Sequence, residues 1–303
     1  MTKRILVIGK TSQLGQSLLK IIGNNSTKLI SSNLNFNFIT RSELDLCNLK
    51  TIKEFFYDQK FSVIINFAAY TLVDQAESEI EMANQINHLA VAQLAEVANK
   101  QKVPLIHIST NYVFNGQKFK LYIETDKAHP LNIYGLTKLK GEQSLIASGC
   151  TGAIIRTSWL YSEYGKNFAK TMLKLGKQRD SISVVNDQFG TPTYAVNLAR
   201  IILKLLSQKQ TTEVLKSKLN IYHFSDEGEC SWYDFAKAIF DICDISCKIT
   251  PVKTKDFPTK AKRPYYSVLD KTKIKNQLPD FIIPHWHESL KICLSEIENL
   301  NNY

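Results

Sequence analysis

The chain has 303 residues, of which 44% are hydrophobic and 22% are charged. This composition excludes a disordered or fibrous protein and suffices for one large domain or two ordinary ones. Lys and Arg number 38 against 28 Asp and Glu, but the basic residues are scattered, so the net charge of +10 suits an anionic small molecule better than nucleic acid.

Neither export nor membrane insertion is indicated. The apolar segment at residues 5–8 is too short for the core of a signal peptide, and no apolar run reaches the length of a spanning helix. The six cysteines are spread along the chain without a CxxC pair. They predict reduced, packing thiols in a cytoplasmic protein.

Strand-length apolar runs alternate with helical patterns along the first half. Apolar periodicity predicts helices at residues 14–22 and 86–98. The strands are predicted at residues 5–8, 36–39, 63–65, 103–108 and 153–155. Strands separated by helices pair in parallel through right-handed crossovers. The order therefore predicts an α/β fold with a Rossmann-type doubly wound parallel sheet.

The alternation loosens after Trp159 and predicts a smaller lobe. Its predicted elements are helices at 168–175, 198–206 and 232–242, strands at 183–185 and 221–224, and a Pro- and Lys-rich loop at 251–264. We expect residues 1–156 to form a dinucleotide-binding domain, with returning segments within about 181–224. Residues 157–180 and 225–303 should form a C-terminal substrate-binding lobe.

A glycine turn follows the first predicted strand directly. With a helix after it, such a turn lets backbone N–H groups approach a pyrophosphate at the positive end of that helix. Two glycines alone are a weak signal, but the strand and helix around them favour a dinucleotide site. Its predicted residues are Gly9, Thr11, Ser12, Gln13, Leu14 and Gly15.

The residues after the second predicted strand indicate the cofactor. An NAD-preferring site usually holds the ribose hydroxyls with an acidic residue there, but residues 29–40 contain none and Arg41 follows. A cation at this place favours a 2′-phosphate, so NADPH is expected, with NADH possible. The alternative interpretation of Arg41 is a solvated surface charge.

Two segments match YxxxK, Tyr134 to Lys138 and Tyr233 to Lys237. On a helix this spacing stacks the two side chains, and the lysine's charge should lower the pKa of the phenol and make it a proton donor. Tyr134 comes after a predicted strand that ends in Ser109 and Thr110, where ligands bind in such folds. We therefore predict Thr110, Tyr134 and Lys138 as catalytic, and Tyr233 as packing.

His107, inside the same predicted strand, is expected to be a satisfied core or surface histidine rather than a base.

These segments, in this order, resemble the extended short-chain dehydrogenase/reductase superfamily, and within it the dTDP-4-dehydrorhamnose reductases. The resemblance runs nearly end to end. It is carried by GKTSQLG (9–15), ELDL (43–46), NFAAYTLVDQAE (66–77), STNYVFNG (109–116), PLNIYGLTK (130–138), RTSW (156–159), DQFGTP (187–192) and AKRP (261–264). It implies NAD(P)H-dependent reduction of the 4-keto group of dTDP-4-dehydro-β-L-rhamnose, a step towards cell-surface polysaccharide.

The resemblance also implies roles for matching residues. Along the cofactor these are Ser12, Gln13, Leu14, Asp45, Leu46, Ala68, Ala69 and Tyr70. Tyr134 would donate the proton, and Lys138 would support it and the nicotinamide ribose. For the dTDP-sugar, the implied residues are Thr110 at the C4 oxygen, Asn111, Tyr112 and Trp159 around the pocket, and Arg263 at the diphosphate.

Two residues depart from the family pattern. Ser12 replaces the usual middle glycine of the turn, which puts its fine geometry in doubt. Asn111 replaces the usual aspartate, which removes a negative charge beside the sugar.

Three alternatives remain open. One is a nucleotide-sugar 4,6-dehydratase or epimerase on the same fold. Dehydration would need a further acid/base pair, which those relatives place as Asp-Glu after the threonine, where Asn111 and Tyr112 stand. The others are a reductase of a related nucleotide-linked 4-keto-6-deoxysugar, and a non-catalytic NADP-binding subunit like the regulatory subunit of methionine adenosyltransferase. Some relatives are described as magnesium-linked dimers. The sequence indicates no metal site, and it leaves Mg²⁺ and the choice between monomer and homodimer open.

Overall fold

The computed structural model describes residues 2–23 and 33–301. Within these ranges the strands are β1 (Lys3–Ile8), β2 (Leu34–Ile39), β3 (Val63–Asn66), β4 (Leu105–Thr110), β5 (Gly152–Thr157), β6 (Leu160–Tyr161), β7 (Ser181–Val185), β8 (Phe189–Gly190), β9 (Thr193–Tyr194), β10 (Leu219–His223), β11 (Cys230–Ser231) and β12 (Lys248–Val252).

The helices lie between these strands and after them. They are α1 (Gln13–Gly23), α2 (Leu49–Phe55), α3 (Val73–Ala76), α4 (Ile80–Asn84), α5 (Ala90–Gln101), α6 (Ile133–Ala147), α7 (Phe168–Gln178), α8 (Ala195–Ser207), α9 (Lys209–Ser217), α10 (Trp232–Ile242), α11 (Thr272–Gln277) and α12 (Trp286–Asn301). One turn of π-helix, Gln85–Leu89, joins α4 to α5. No helix of the described residues is long and apolar enough to cross a membrane.

Six strands form one parallel sheet in the order β2-β1-β3-β4-β5-β10. The chain leaves β1 towards one edge of the sheet and returns to β3 on the other side of β1. The carboxyl ends of β1 and β3 are therefore neighbours at the point where the strand order reverses, and this is where open α/β sheets bind ligands. The predicted doubly wound parallel sheet is confirmed.

Helices cover both faces of the sheet. Ile5 and Val7 pack into one core cluster with residues of α1 and α8. Leu6 and Ile8 pack into the other, with residues of α5. Because both faces of β1 are buried from Ile5 to Ile8, this part of the strand is a continuous apolar run rather than an alternating one.

Most predicted strands lie in this sheet, and the differences have local causes. The strand predicted at 103–108 begins at Leu105, after Pro104, which has no N–H to give to a ladder. The strand predicted at 183–185 lies in β7 but pairs with β12, outside the main sheet. The predicted loop at 251–264 begins only after Val252, because β12 extends to that residue.

The structure also bears on two further predictions, a helix and the state of the cysteines. The helix predicted at 86–98 is divided between the π-helical turn and α5. All six cysteines are unpaired, as predicted. The division into two domains stays a prediction, and residues 1, 24–32, 302 and 303 of its ranges lie outside the described part of the chain.

A buried ion pair joins α6 to the sheet. Arg156 of β5 donates from Nη2 to Glu142 Oε2 at 2.7 Å and from Nε to Oε1 at 3.0 Å. The two side chains are 4% and 1% exposed. Neither charge can therefore turn to water if its partner is removed.

We expect Glu142→Ala to lower the free energy of unfolding by about 3–5 kcal/mol, because it leaves Arg156 buried and unpaired. Glu213→Ala is the control, because it breaks the exposed pair with Lys216 and should leave stability nearly unchanged. Urea unfolding of both variants measures the difference. Equal losses would contradict the structural role of the buried pair.

Candidate functional site

A cleft of about 1480 Å³ opens at the carboxyl ends of β1, β3 and β4. Both halves of the chain line it. From the first half come the glycine turn and the ends of β3 and β4, and from the second come α7, β7 and the loop before α11. The predicted site residues that line it are Gly9, Thr11, Ser12, Gln13, Leu14, Arg41, Asp45, Leu46, Ala68, Ala69, Thr110, Asn111, Tyr112, Tyr134, Lys138, Trp159 and Arg263.

The glycine turn is closed by Ser12. Its hydroxyl donates to the carbonyl of Gly9 at 2.7 Å and accepts from the N–H of Gly15 at 3.0 Å. The backbone of Ser12 is not left-handed, so no glycine is required there. Gly15 is required, because a Cβ on it would lie 2.2 Å from the Gly9 carbonyl oxygen. The serine therefore fits this turn.

Two predicted cofactor residues lie behind the lining. Gly15 packs against the turn instead of facing the cleft. Tyr70 is also absent from the lining, because its hydroxyl donates to Glu79 at 2.8 Å while Asn87 holds its backbone N–H and carbonyl.

Arg41 lies at the rim of the cleft and is already paired. Its Nε donates to Asp45 Oδ1 at 3.2 Å, and the arginine side chain is 72% exposed. This geometry agrees with a cation at the cofactor's edge and also with a solvated ion pair. Leu46, also in the lining, is buried.

The proposed catalytic trio comes together where β4 ends and α6 begins. Asn132 caps α6 by accepting from the N–H of Gly135 at 2.8 Å, and this places Tyr134 in the first turn and Lys138 one turn later. Thr110 ends β4, and its Oγ1 donates to Asn111 Oδ1 at 3.2 Å.

The pKa of Tyr134 differs from the sequence prediction. Burial raises it to about 12, and hydrogen bonding with Thr110 lowers it only in part. The predicted lowering by Lys138 was therefore wrong. The lysine Nζ donates to the carbonyl of Ile108 at 2.6 Å and lies 3.1 Å from His107 Nε2. Burial lowers the pKa of Lys138 to about 8, although Glu142 raises it.

His107 was predicted to be a satisfied histidine, and it is satisfied, but within the site. The ring is fully buried and contacts both Lys138 and Asn66. Burial and the Lys138 charge hold its pKa well below the usual range. The second YxxxK match behaves as predicted, because Tyr233 packs against the core and Lys237 is exposed.

Asp74 holds Arg263. Two bonds, from Nη2 to Oδ2 at 2.6 Å and from Nη1 to Oδ1 at 3.1 Å, join them across 189 residues of sequence. Asp74 also accepts from the N–H of Ala261. Asp74 was not predicted as a site residue, although it lies within the NFAAYTLVDQAE segment that begins at the carboxyl end of β3.

Two aromatic rings and two unpaired polar atoms complete the cleft. Trp159 stacks on Trp232, which was not predicted as a site residue, with ring centres 3.6 Å apart. Ser109 Oγ and Asn111 Nδ2 are buried without a hydrogen-bond partner. Since buried polar atoms are normally paired, these two point to a polar ligand at the end of β4. Within the described ranges, no three His, Cys, Asp or Glu side chains are grouped to hold a metal ion.

Comparisons with known proteins agree with this geometry. The family described as the RmlD substrate binding domain matches residues 3–299. A dTDP-4-dehydrorhamnose reductase of Aggregatibacter actinomycetemcomitans is 42% identical over 278 residues, which cover 90% of this chain and 92% of that protein.

Two solved structures are also similar to this chain over nearly its whole length. A dTDP-4-dehydrorhamnose reductase from Clostridium acetobutylicum has a TM-score of 0.87 at 38% identity, covering 97% of this chain and 99% of that one. One from Bacillus anthracis, solved in complex with NADP, has a TM-score of 0.87 at 35% identity, covering 98% of this chain and all of that one (100%).

Proposed function

Since this chain belongs to the family of the RmlD substrate binding domain, we propose that it is a dTDP-4-dehydrorhamnose reductase. It would use NADPH to reduce the 4-keto group of dTDP-4-dehydro-β-L-rhamnose. The observation that carries the proposal is the meeting of Thr110, Tyr134 and Lys138 with the glycine turn in one cleft. The substrate class is inferred from the family, and the type of reaction is inferred from the residues of the cleft.

The residues of the first half fit a dinucleotide. The glycine turn leads into α1, whose first backbone N–H groups have no partner within the helix and suit a pyrophosphate. Arg41 would meet a 2′-phosphate at the rim, which favours NADPH over NADH. Bound NADPH supplies the hydride.

Tyr134 is suited to donate a proton. With its pKa raised to about 12, the phenol keeps its proton at neutral pH. Reduction of the ketone leaves an alkoxide that is far more basic than a phenolate, so transfer from Tyr134 is downhill. Thr110 would orient the C4 oxygen, and the protonated form of Lys138 would support Tyr134 and the nicotinamide ribose.

The far side of the cleft fits a nucleotide-linked sugar. Arg263 presents a planar guanidinium that Asp74 holds in place, and such a fork suits diphosphate oxygens. Asn111, Tyr112 and Trp159 would shape the sugar pocket, with Trp232 behind Trp159.

Two features favour simple reduction over the alternatives. A dehydratase needs a further acid/base pair, and the residues after Thr110 are Asn111 and Tyr112, neither of which is a carboxylate. A subunit that only binds NADP would not need Tyr134 and Lys138 in place beside Thr110.

Tyr134→Phe tests the reaction. It should lower kcat by about 10²–10⁴-fold, because the proton donor is lost, and leave NADPH affinity nearly unchanged. NADPH oxidation with dTDP-4-dehydrorhamnose generated in situ measures the rate. Tyr233→Phe, which changes the YxxxK tyrosine outside the cleft, is the matched control and should turn over like the wild type. A wild type that binds NADPH but does not oxidise it with this sugar would refute the assignment, and would favour another 4-keto sugar or a binding subunit.

Gly15→Ala tests the cofactor site. The added Cβ must push the Gly9 carbonyl away and open the turn, at a cost of about 1–3 kcal/mol, so NADPH affinity should fall about tenfold or more. Gly23→Ala is the control, because a Cβ at the end of the same helix meets nothing within 4 Å. Fluorescence titration with NADPH compares them. Wild-type affinity in Gly15→Ala would place the cofactor elsewhere.

A further inference from the structure

A line of hydrogen bonds connects the loop after β3 with Lys138 through buried side chains. The backbone N–H of Ala68 donates to Asn66 Oδ1 at 3.1 Å, and Asn66 Nδ2 lies 3.2 Å from His107 Nδ1. His107 Nε2 lies 3.1 Å from Lys138 Nζ, which donates to the carbonyl of Ile108 at 2.6 Å. Asn66, His107 and Lys138 are each at most 1% exposed.

The first of these bonds fixes the direction of the others. A backbone N–H can only donate, so the Asn66 atom that faces Ala68 is the oxygen, and the amide nitrogen faces His107. That nitrogen can only donate, so His107 Nδ1 is the accepting, hydrogen-free nitrogen of the ring. A neutral imidazole then carries its hydrogen on Nε2 and donates it to Lys138. Only an uncharged amine has the lone pair to accept it.

We propose that Asn66 and His107 are positioning residues that favour the neutral amine of Lys138 and couple its protonation to the N–H of Ala68. When Lys138 gains a proton from solvent, Nζ can only donate. The hydrogen of His107 must then move from Nε2 to Nδ1, and Asn66 must turn its oxygen towards it. Ala68 thereby loses its acceptor.

The coupling has a consequence for ligand binding, because linkage is reciprocal. A ligand atom that accepts the N–H of Ala68 releases Asn66 and favours the ammonium form of Lys138. Ala68 lines the cleft on the side proposed for the cofactor. Cofactor binding would thus help to charge the lysine that supports catalysis, and this consequence rests on the proposed function.

The other titratable groups around Lys138 do not by themselves fix its protonation state. Glu142, one turn along α6, raises its pKa, but Arg156 of β5 holds that carboxylate in a bidentate pair. Tyr134 on α6 and His107 on β4 are uncharged near neutral pH, since their pKa values are shifted up and down respectively. The pKa of Lys138, lowered to about 8, lies close enough to neutrality for the Asn66–His107 contacts to decide its charge.

The direct test is isotope-edited NMR of the labelled imidazole nitrogens without cofactor, with His107→Gln to assign the signal. Well above the Lys138 pKa of about 8, where the amine is neutral, the wild type should carry its His107 hydrogen on Nε2, and below that pH the hydrogen should move to Nδ1. In Asn66→Asp the carboxylate accepts from both Ala68 and His107, so the hydrogen should move to Nδ1. A wild-type His107 that keeps its hydrogen on Nδ1 well above pH 8 would overturn the proposal. This readout needs no turnover, so a failed reductase assay would count against the proposed function alone.

A second readout is the pH dependence of kcat/KM. In both Asn66→Asp and His107→Gln, the side chain at position 107 can accept a hydrogen bond from the ammonium form of Lys138. His107→Gln provides this acceptor without adding charge. The alkaline limb should therefore move up by about one pH unit in both variants. Asn35→Asp, on an exposed position of β2, adds a remote charge as the control. A limb that stays in place in His107→Gln while moving in Asn66→Asp would mean a charge effect only and would overturn the coupling.

Discussion

The burial of Lys138 against the end of β4 is the constraint on which the site depends. An amine enters a protein interior only when other groups bind it, and here the carbonyl of Ile108 and the ring of His107 do so, while the nearby charge of Glu142 raises its pKa. The helix that carries it must lie very close to its neighbours. A Cβ on Gly141, next to Glu142, would lie 2.2 Å from the carbonyl oxygen of Asn87 in the π-helical turn. The close approach of α6 and the buried lysine are therefore parts of one arrangement.

The same burial adjusts both members of the YxxxK pair. It raises the pKa of Tyr134 from 10.0 to about 12 and lowers that of Lys138 from 10.5 to about 8, so the two values lie farther apart than in water and in the opposite order. The phenol remains a proton donor, and the amine becomes a group whose charge its neighbours can change. Environments that shift titratable pairs in this way are how sites perform acid/base chemistry near neutral pH.

Local patterns in the sequence predicted much of this architecture, because the parallel strands are apolar runs and the glycine turn is contiguous. Pairings between distant segments could not be predicted from these local patterns. The sequence showed neither that β7 pairs with β12 nor that Asp74 would hold Arg263 and Trp232 would stack on Trp159. The wrong prediction for the pKa of Tyr134 has the same origin. Helical spacing shows which side chains share a face, whereas burial is set by everything that packs around them.

The pKa of Lys138 is the quantity that tests the account most directly. Isotope-edited NMR of labelled lysine side chains, with Lys138→Met to assign the signal, can follow it in the protein without ligands. The account predicts one lysine that titrates near pH 8, well below the usual value of 10.5, and whose signal disappears in the variant. A Lys138 that titrates with the exposed lysines would contradict it, because the amine would then not be held in the interior against His107.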